Sequence, residues 1–97
     1  MFQDEKRIER HLVEGVRREG GLCFKFVSPG TAGVPDRLII LPDGRVVFAE
    51  LKTETGRLSK IQEYTINELK KRNADVRVLY GLQDVKAFLS EVVSNEI

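Results

Sequence analysis

Pro42-Asp43-Gly44 lies between two runs of strand-forming residues, Arg37 to Leu41 and Arg45 to Lys52. No other feature of the sequence restricts the fold as strongly. A three-residue hairpin loop usually combines a type I turn with a left-handed bulge residue. Proline suits the second position of such a turn and glycine the left-handed one. The loop therefore predicts a hairpin and also its register. Leu41 pairs with Arg45, so Leu38 faces Phe48 and Asp36 faces Glu50. Because strand side chains alternate with period two, Asp36, Leu38, Ile40, Val46, Phe48, Glu50 and Lys52 share one sheet face. The four apolar members are expected in the core.

The other elements follow from periodicity. From Asp4 to Glu19, the residues Ile8, Leu12 and Val16 recur every four positions, as on one face of a helix, and Gly20-Gly21 stops it. Leu22 to Val27 reads as a strand, and Ser28 to Gly33 as a loop. After Thr53-Glu54-Thr55-Gly56, a second helix runs from about Lys60 to Arg72 with Ser59 as N-cap. A short strand, Val76 to Tyr80, precedes a last helix with Val85, Phe88, Leu89 and Val92 on one face. The order is αβββαβα. Strands apolar on both faces predict an α/β fold, a mixed four-stranded sheet flanked by helices. No repeat or linker divides the chain, so residues 1–97 are expected to form a single domain.

Composition removes several classes of function. The net charge is +1, so any nucleic-acid contact must come from a local basic surface rather than from bulk charge. Cys23 is the single cysteine and lies in an apolar run, which predicts a buried thiol and no intrachain disulfide. His11 is the single histidine, too few for zinc by its usual ligands. No segment approaches the ~20 apolar residues of a membrane span, and the charged N-terminus has no apolar run behind it. A cytoplasmic location and no membrane partner are expected.

The predicted hairpin sets two carboxylates and an ammonium together at its open end. Charged groups on an apolar face need a reason, because unpaired burial is costly. Asp36 and Glu50 facing one another make a hard-oxygen site of the kind that binds Mg²⁺ or Mn²⁺. Such a cation polarises a phosphoryl oxygen and lowers the pKa of water, and Lys52 could stabilise charge in the transition state. The competing reading is a plain strand-end ion pair between Glu50 and Lys52. That reading leaves Asp36, placed opposite by the turn, without explanation.

Pro35-Asp36, thirteen residues, then Glu50-Leu51-Lys52 resembles the PD-(D/E)XK nuclease motif. Gly33-Val34-Pro35-Asp36-Arg37 and Phe48-Ala49-Glu50-Leu51-Lys52, followed by Gly56, Ser59 and Gln62, are similar to its VRR-NUC branch. The resemblance runs from the first helix through the last. It implies a restriction-endonuclease-like core and metal-dependent phosphodiester hydrolysis by Asp36, Glu50 and Lys52, with Asp36, Glu50 and the Leu51 backbone carbonyl on the metal. Small stand-alone viral and bacterial members of this type act on branched DNA, including Holliday junctions and flaps. Two-fold symmetric junctions need paired nicks, and one domain carries one site, so a homodimer is expected.

Three groups of residues admit two readings each. Ser59-x-x-Gln62 is a capping box, in which glutamine bonds back to the N-cap amide. Yet Gln62, Ile66, Leu69 and Asn73 form one helical stripe, which points Gln62 at the sheet and, by the resemblance, at the site. Glu5 and Glu9 lie on the buried stripe of the first helix; either answers to the acidic residue the family carries there, Glu5 preferred, or both are solvated charges favoured by the helix dipole. Lys25, Arg37, Arg57 and Lys60 either track a DNA backbone around the Ser28–Val34 and Gly56 loops or are ordinary surface charges. Phe24, Phe26, Phe48 and Phe88 read as core. The alternatives to an enzyme are a non-catalytic DNA-binding module on the nuclease fold and an interaction domain with an ion-pair network.

Overall fold

The structure, a computed structural model, describes residues 4–94. Its elements are α1 (Glu5–Arg18), β1 (Leu22–Lys25), β2 (Arg37–Ile40), β3 (Val46–Lys52), α2 (Lys60–Lys71), β4 (Asp75–Tyr80) and α3 (Gly81–Ser94). The sheet has spatial order β1-β2-β3-β4. β1–β2 and β2–β3 are antiparallel, and β3–β4 is parallel. This is the mixed four-stranded α/β sheet expected from the sequence.

The hairpin turn closes as its residues require. Leu41 N donates to Arg45 O at 2.9 Å, Gly44 N donates to Leu41 O at 2.8 Å, and Gly44 has φ of 89°. Leu38 is opposite Phe48 and Arg37 opposite Ala49. Asp36 is one residue ahead of β2, at the position facing Glu50.

One expectation about the faces is reversed. α1 and α3 both cross the sheet on the side of Ile39, Val47, Ala49, Leu51 and Leu79, and the core forms there with Ile8, Leu12, Val16, Val85 and Phe88. The opposite face, which carries Glu50, has only α2 over it. Ile66 and Val76 are buried there, outside the main cluster. Toward β1 that face is bare: Leu22, Phe24 and Val46 are exposed, and Leu38, Ile40 and Phe48 are only half-buried. Of the four phenylalanines expected inside, Phe88 alone is fully so; Phe26 and Phe48 pack ring to ring at 5.8 Å on the open face. The hydrophobic pattern reads the same on both faces, and helix placement decides which one is sealed.

α2 begins at Ser59, as its capping signature requires, and stops at Lys71. Asn73 adopts φ of 65° and Ala74 N returns to Leu69 O, a left-handed helix stop that asparagine tolerates. Asn73 is therefore a terminator and not part of the helical stripe. Among the described residues no helix is long and apolar enough to cross a membrane.

Candidate active site

The end of the β2–β3 hairpin and the first turn of α2 build the site. Asp36 leaves the buried Pro35 with its carbonyl held by Phe26 N at 2.7 Å, which prolongs the β1–β2 pairing by one step. Its side chain is exposed, and Oδ2 accepts from Leu51 N at 3.2 Å. Glu50 lies beneath it at 2 % exposure. Lys52 Nζ is 3.6 Å from Glu50 Oε2. Gln62 Nε2 donates to the same oxygen at 3.1 Å.

The two readings of Gln62 prove to be one arrangement. Its Oε1 accepts from Ser59 N at 2.9 Å, and its own N donates to Ser59 Oγ at 3.2 Å. The capping box uses the amide oxygen, and the amide nitrogen is left to reach Glu50.

Burial pushes the Glu50 carboxyl up to about 7, and the negative charge of Asp36 adds to the rise while Lys52 opposes it. Glu50 Oε1 is buried and has no hydrogen-bond partner. A buried acceptor of this kind is costly. Among the described residues no three His, Cys, Asp or Glu side chains converge, which leaves a two-carboxylate site. That donor set fits a hard divalent cation, which takes one or two carboxylates and keeps several waters. The orphaned oxygen and the adjacent like charge are what such an ion would satisfy.

The remaining candidates divide. Glu5 is exposed in the first turn of α1, and Glu9 Oε1 accepts an ion pair from Arg37 Nη2 at 3.0 Å; neither joins Asp36 and Glu50. Arg37 is 9 % exposed on the α1 side of the sheet, away from Asp36 and Glu50. Its neighbour on the strand, Asp36, points the other way, as alternation requires. Lys25, Arg57 and Lys60 are exposed, but Lys25 is the cross-strand partner of Arg37 and lies on the α1 side, away from Asp36 and Glu50.

Sequence reasoning missed how the loop before Asp36 is fixed. Thr65 Oγ1 donates to Ala32 O at 3.1 Å. A Cβ on Gly33, at φ of 85°, would sit 2.6 Å from Ile61 O and 2.8 Å from Thr65 Oγ1. The loop is thus seated on the helix that carries Gln62. Gly33 next to Val34-Pro35 was the available signal, since glycine permits both a positive φ and a close backbone approach.

The open end of the β2–β3 hairpin thus carries Asp36, Glu50 and Lys52 on a mixed sheet, with α2 above them. The VRR-NUC domain profile matches residues 3–83, and the chain belongs to the VRR-NUC family. "Putative nuclease p44" of Acyrthosiphon pisum secondary endosymbiont phage 1 is 58% identical over 48 residues, which cover 50% of this chain and 52% of that protein. The match thus spans about half the length of that relative. A solved structure named "VRR_NUC domain" superposes with a TM-score of 0.84 at 31% identity, covering 89% of this chain and 94% of its own. Another, "VRR_NUC domain protein", gives a TM-score of 0.77 at 16% identity over 97% and 91%, a likeness of fold alone.

Proposed function

We propose that this chain is a divalent-metal-dependent DNA endonuclease, using Mg²⁺ or Mn²⁺, that cuts branched substrates such as Holliday junctions or flaps inside the cell. The observation that carries the chemistry is the Asp36–Glu50 pair with its orphaned buried oxygen, flanked by Lys52 and Gln62. Asp36, Glu50 and the Leu51 carbonyl would hold the cation. Support for Leu51 comes from its N–H, which donates to Asp36 Oδ2; in an antiparallel ladder the N–H and C=O of one residue address the same neighbour.

Bound there, the cation supplies polarisation of a phosphoryl oxygen and a more acidic water. The protein's own groups do the rest. Leu51 N–H fixes the Asp36 carboxylate; Gln62 orients Glu50 through its Oε2, and the Lys52 charge opposes the rise that burial imposes on that carboxyl. Lys52 carries its positive charge into the site at 18% side-chain exposure, where poor screening strengthens its effect on negative charge developing at phosphorus. In hydrolysis a water oxygen bonds to phosphorus, the bond to the leaving sugar oxygen breaks, and a proton passes to that oxygen. Arg57 and Lys60, on the loop and helix start beside the site, contact the DNA backbone.

The active unit in this reading is a homodimer. Each chain carries one site, and the uncharged sheet face of Leu22, Phe24 and Val46 is left exposed, the kind of surface that supports association. Purified protein is to be assayed on duplex, flap, fork and four-way junction DNA with Mg²⁺, Mn²⁺ or EDTA. Asp36→Ala, Glu50→Ala and Lys52→Ala should each lose ~100-fold or more in rate while staying folded. A variant cutting at the wild-type rate would refute the site. Sedimentation at micromolar concentration, with and without junction DNA, tests the dimer, and a strict monomer overturns paired nicking.

A further inference from the structure

We propose that Ser59, which touches no reacting atom, is a positioning residue for cleavage: its capping box locks the Gln62 side chain with the NH₂ group toward Glu50. The inference rests on the nuclease reading above.

A glutamine amide has one accepting and one donating end. In this site the accepting end is occupied: Gln62 Oε1 takes the Ser59 N–H at 2.9 Å. The donating end is thereby left 3.1 Å from Glu50 Oε2. The opposite orientation would set an oxygen against a carboxylate oxygen and an NH₂ against an N–H, two repulsive contacts in place of two bonds. Glu50 alone would favour the same orientation, but it would not confine the side chain. Gln62 is only partly buried, and glutamine has three rotatable bonds whose freedom is costly to remove. Without the cap, states pointing into solvent compete with the one that reaches Glu50.

Ser59 acts on that competition through both of its polar groups. The Oγ takes Gln62 N at 3.2 Å and fixes where α2 begins. Only with the helix started there does Gln62 occupy the third helical position, from which its side chain reaches back to the Ser59 N–H. The device is sensitive because Glu50 is nearly sealed from water and its other oxygen has no protein partner. A wandering donor takes from Glu50 Oε2 its 3.1 Å bond to Gln62 and leaves the Lys52 ammonium at the longer distance of 3.6 Å.

Four proteins test this: Ser59→Ala, Ser59→Asn, Gln62→Ala, and the Ser59→Ala/Gln62→Ala pair. Ser59→Ala should lower kcat roughly tenfold with KM unchanged, the order expected when one positioned group is loosened. Ser59→Asn should restore kcat, since asparagine caps as well as serine. The double variant should be no slower than Gln62→Ala, because Ser59 acts on Glu50 only through the Gln62 side chain, which Gln62→Ala already removes. A readout independent of cleavage is the Gln62 side-chain amide pair in a ¹⁵N–¹H spectrum of the metal-free protein. In Ser59→Ala it should move toward the position of the exposed Gln83. Wild-type kcat in Ser59→Ala alongside an impaired Gln62→Ala overturns the proposal, as does an unmoved Gln62 amide. So does a Gln62→Ala protein that cuts at the wild-type rate. The nuclease reading is decided separately by Asp36→Ala and survives any of these outcomes.

Discussion

Gln62 donates to Glu50 across 3.1 Å while its own oxygen closes the cap of α2, so the first turn of a helix and the middle of a strand share one side chain. Gln62→Glu separates the two duties. The new carboxylate still accepts from Ser59 N–H, so the helix keeps its cap. Its second oxygen, however, faces Glu50 Oε2, and a like charge at that distance disfavours ionisation of the pair. Thermal unfolding at pH 5 should stay close to wild type, while the cleavage rate at neutral pH falls about tenfold or more, as for loss of a charge-stabilising donor. Normal cleavage would leave Gln62 with the cap alone.

Metal-free protein should lose stability as pH rises through the Glu50 window. The unfolded carboxyl ionises near 4.5, whereas burial holds the folded one up to about 7. Between these values the folded state binds more protons than the unfolded state. Stability from this group is therefore complete below 4.5, declines as pH rises, and levels off above 7. Glu50→Gln removes the dependence and should stabilise the EDTA-treated protein at pH 8 by up to about 3 kcal/mol, with no such gain at pH 4. Urea melts at the two pH values measure it. Excess Mg²⁺ should reverse the order at pH 8, because the cation binds the ionised carboxyl. A pH-independent difference would contradict the burial of Glu50.

Much of this arrangement is legible in the amino-acid sequence. The Pro42-Asp43-Gly44 turn specifies a register, and the register delivers Asp36 to Glu50. Ser59 and Gln62 announce the start of α2 to the residue. Which face is sealed is not legible, because Leu38 and Ile39 are equally apolar and only the crossing of α1 and α3 over Ile39 distinguishes them. The burial of Arg37 is hidden for the same reason. Its charge suggests solvent and DNA, but its place on the alternation puts it under α1 with Glu9. The link between Thr65 and Ala32 spans 33 positions, and nothing local in either residue foretells it.

Gly33 and Gly30 lie in the same loop but should respond in opposite ways to alanine. At Gly33 the new methyl meets the Ile61 carbonyl at 2.6 Å with φ at 85°, and α2 backbone has no cheap way to yield. Steric strain and the unfavourable φ should together cost about 2–4 kcal/mol and displace the chain leading to Asp36. A Cβ at Gly30 meets nothing within 4 Å, so Gly30→Ala should stay within about 0.5 kcal/mol of wild type. Denaturant midpoints with unchanged m-values decide it, and equal effects at the two positions would undo the seating of this loop on α2.

Arg37 should matter to stability and not to DNA. Its side chain is 11% exposed, it ion-pairs with a Glu9 that is 47% exposed, and its Nε is buried without a partner. Glu9→Gln leaves the guanidinium without its counter-charge and should cost about 1–2 kcal/mol, less than a fully buried pair because Glu9 is half in solvent. Arg37→Met removes both the charge and the unsatisfied nitrogen, keeps most of the buried stem, and should cost less than Glu9→Gln. Adding Glu9→Gln to Arg37→Met should then cost little more. On junction DNA, Lys60→Ala and Arg57→Ala should each weaken binding and reduce the salt dependence by about one unit of slope, as for loss of one phosphate contact. Arg37→Met should leave both affinity and slope at their wild-type values, since its charge faces α1. Titrations at several salt concentrations make the comparison. A slope for Arg37→Met that falls as far as that of Lys60→Ala, in a protein of normal stability, would return Arg37 to the DNA surface.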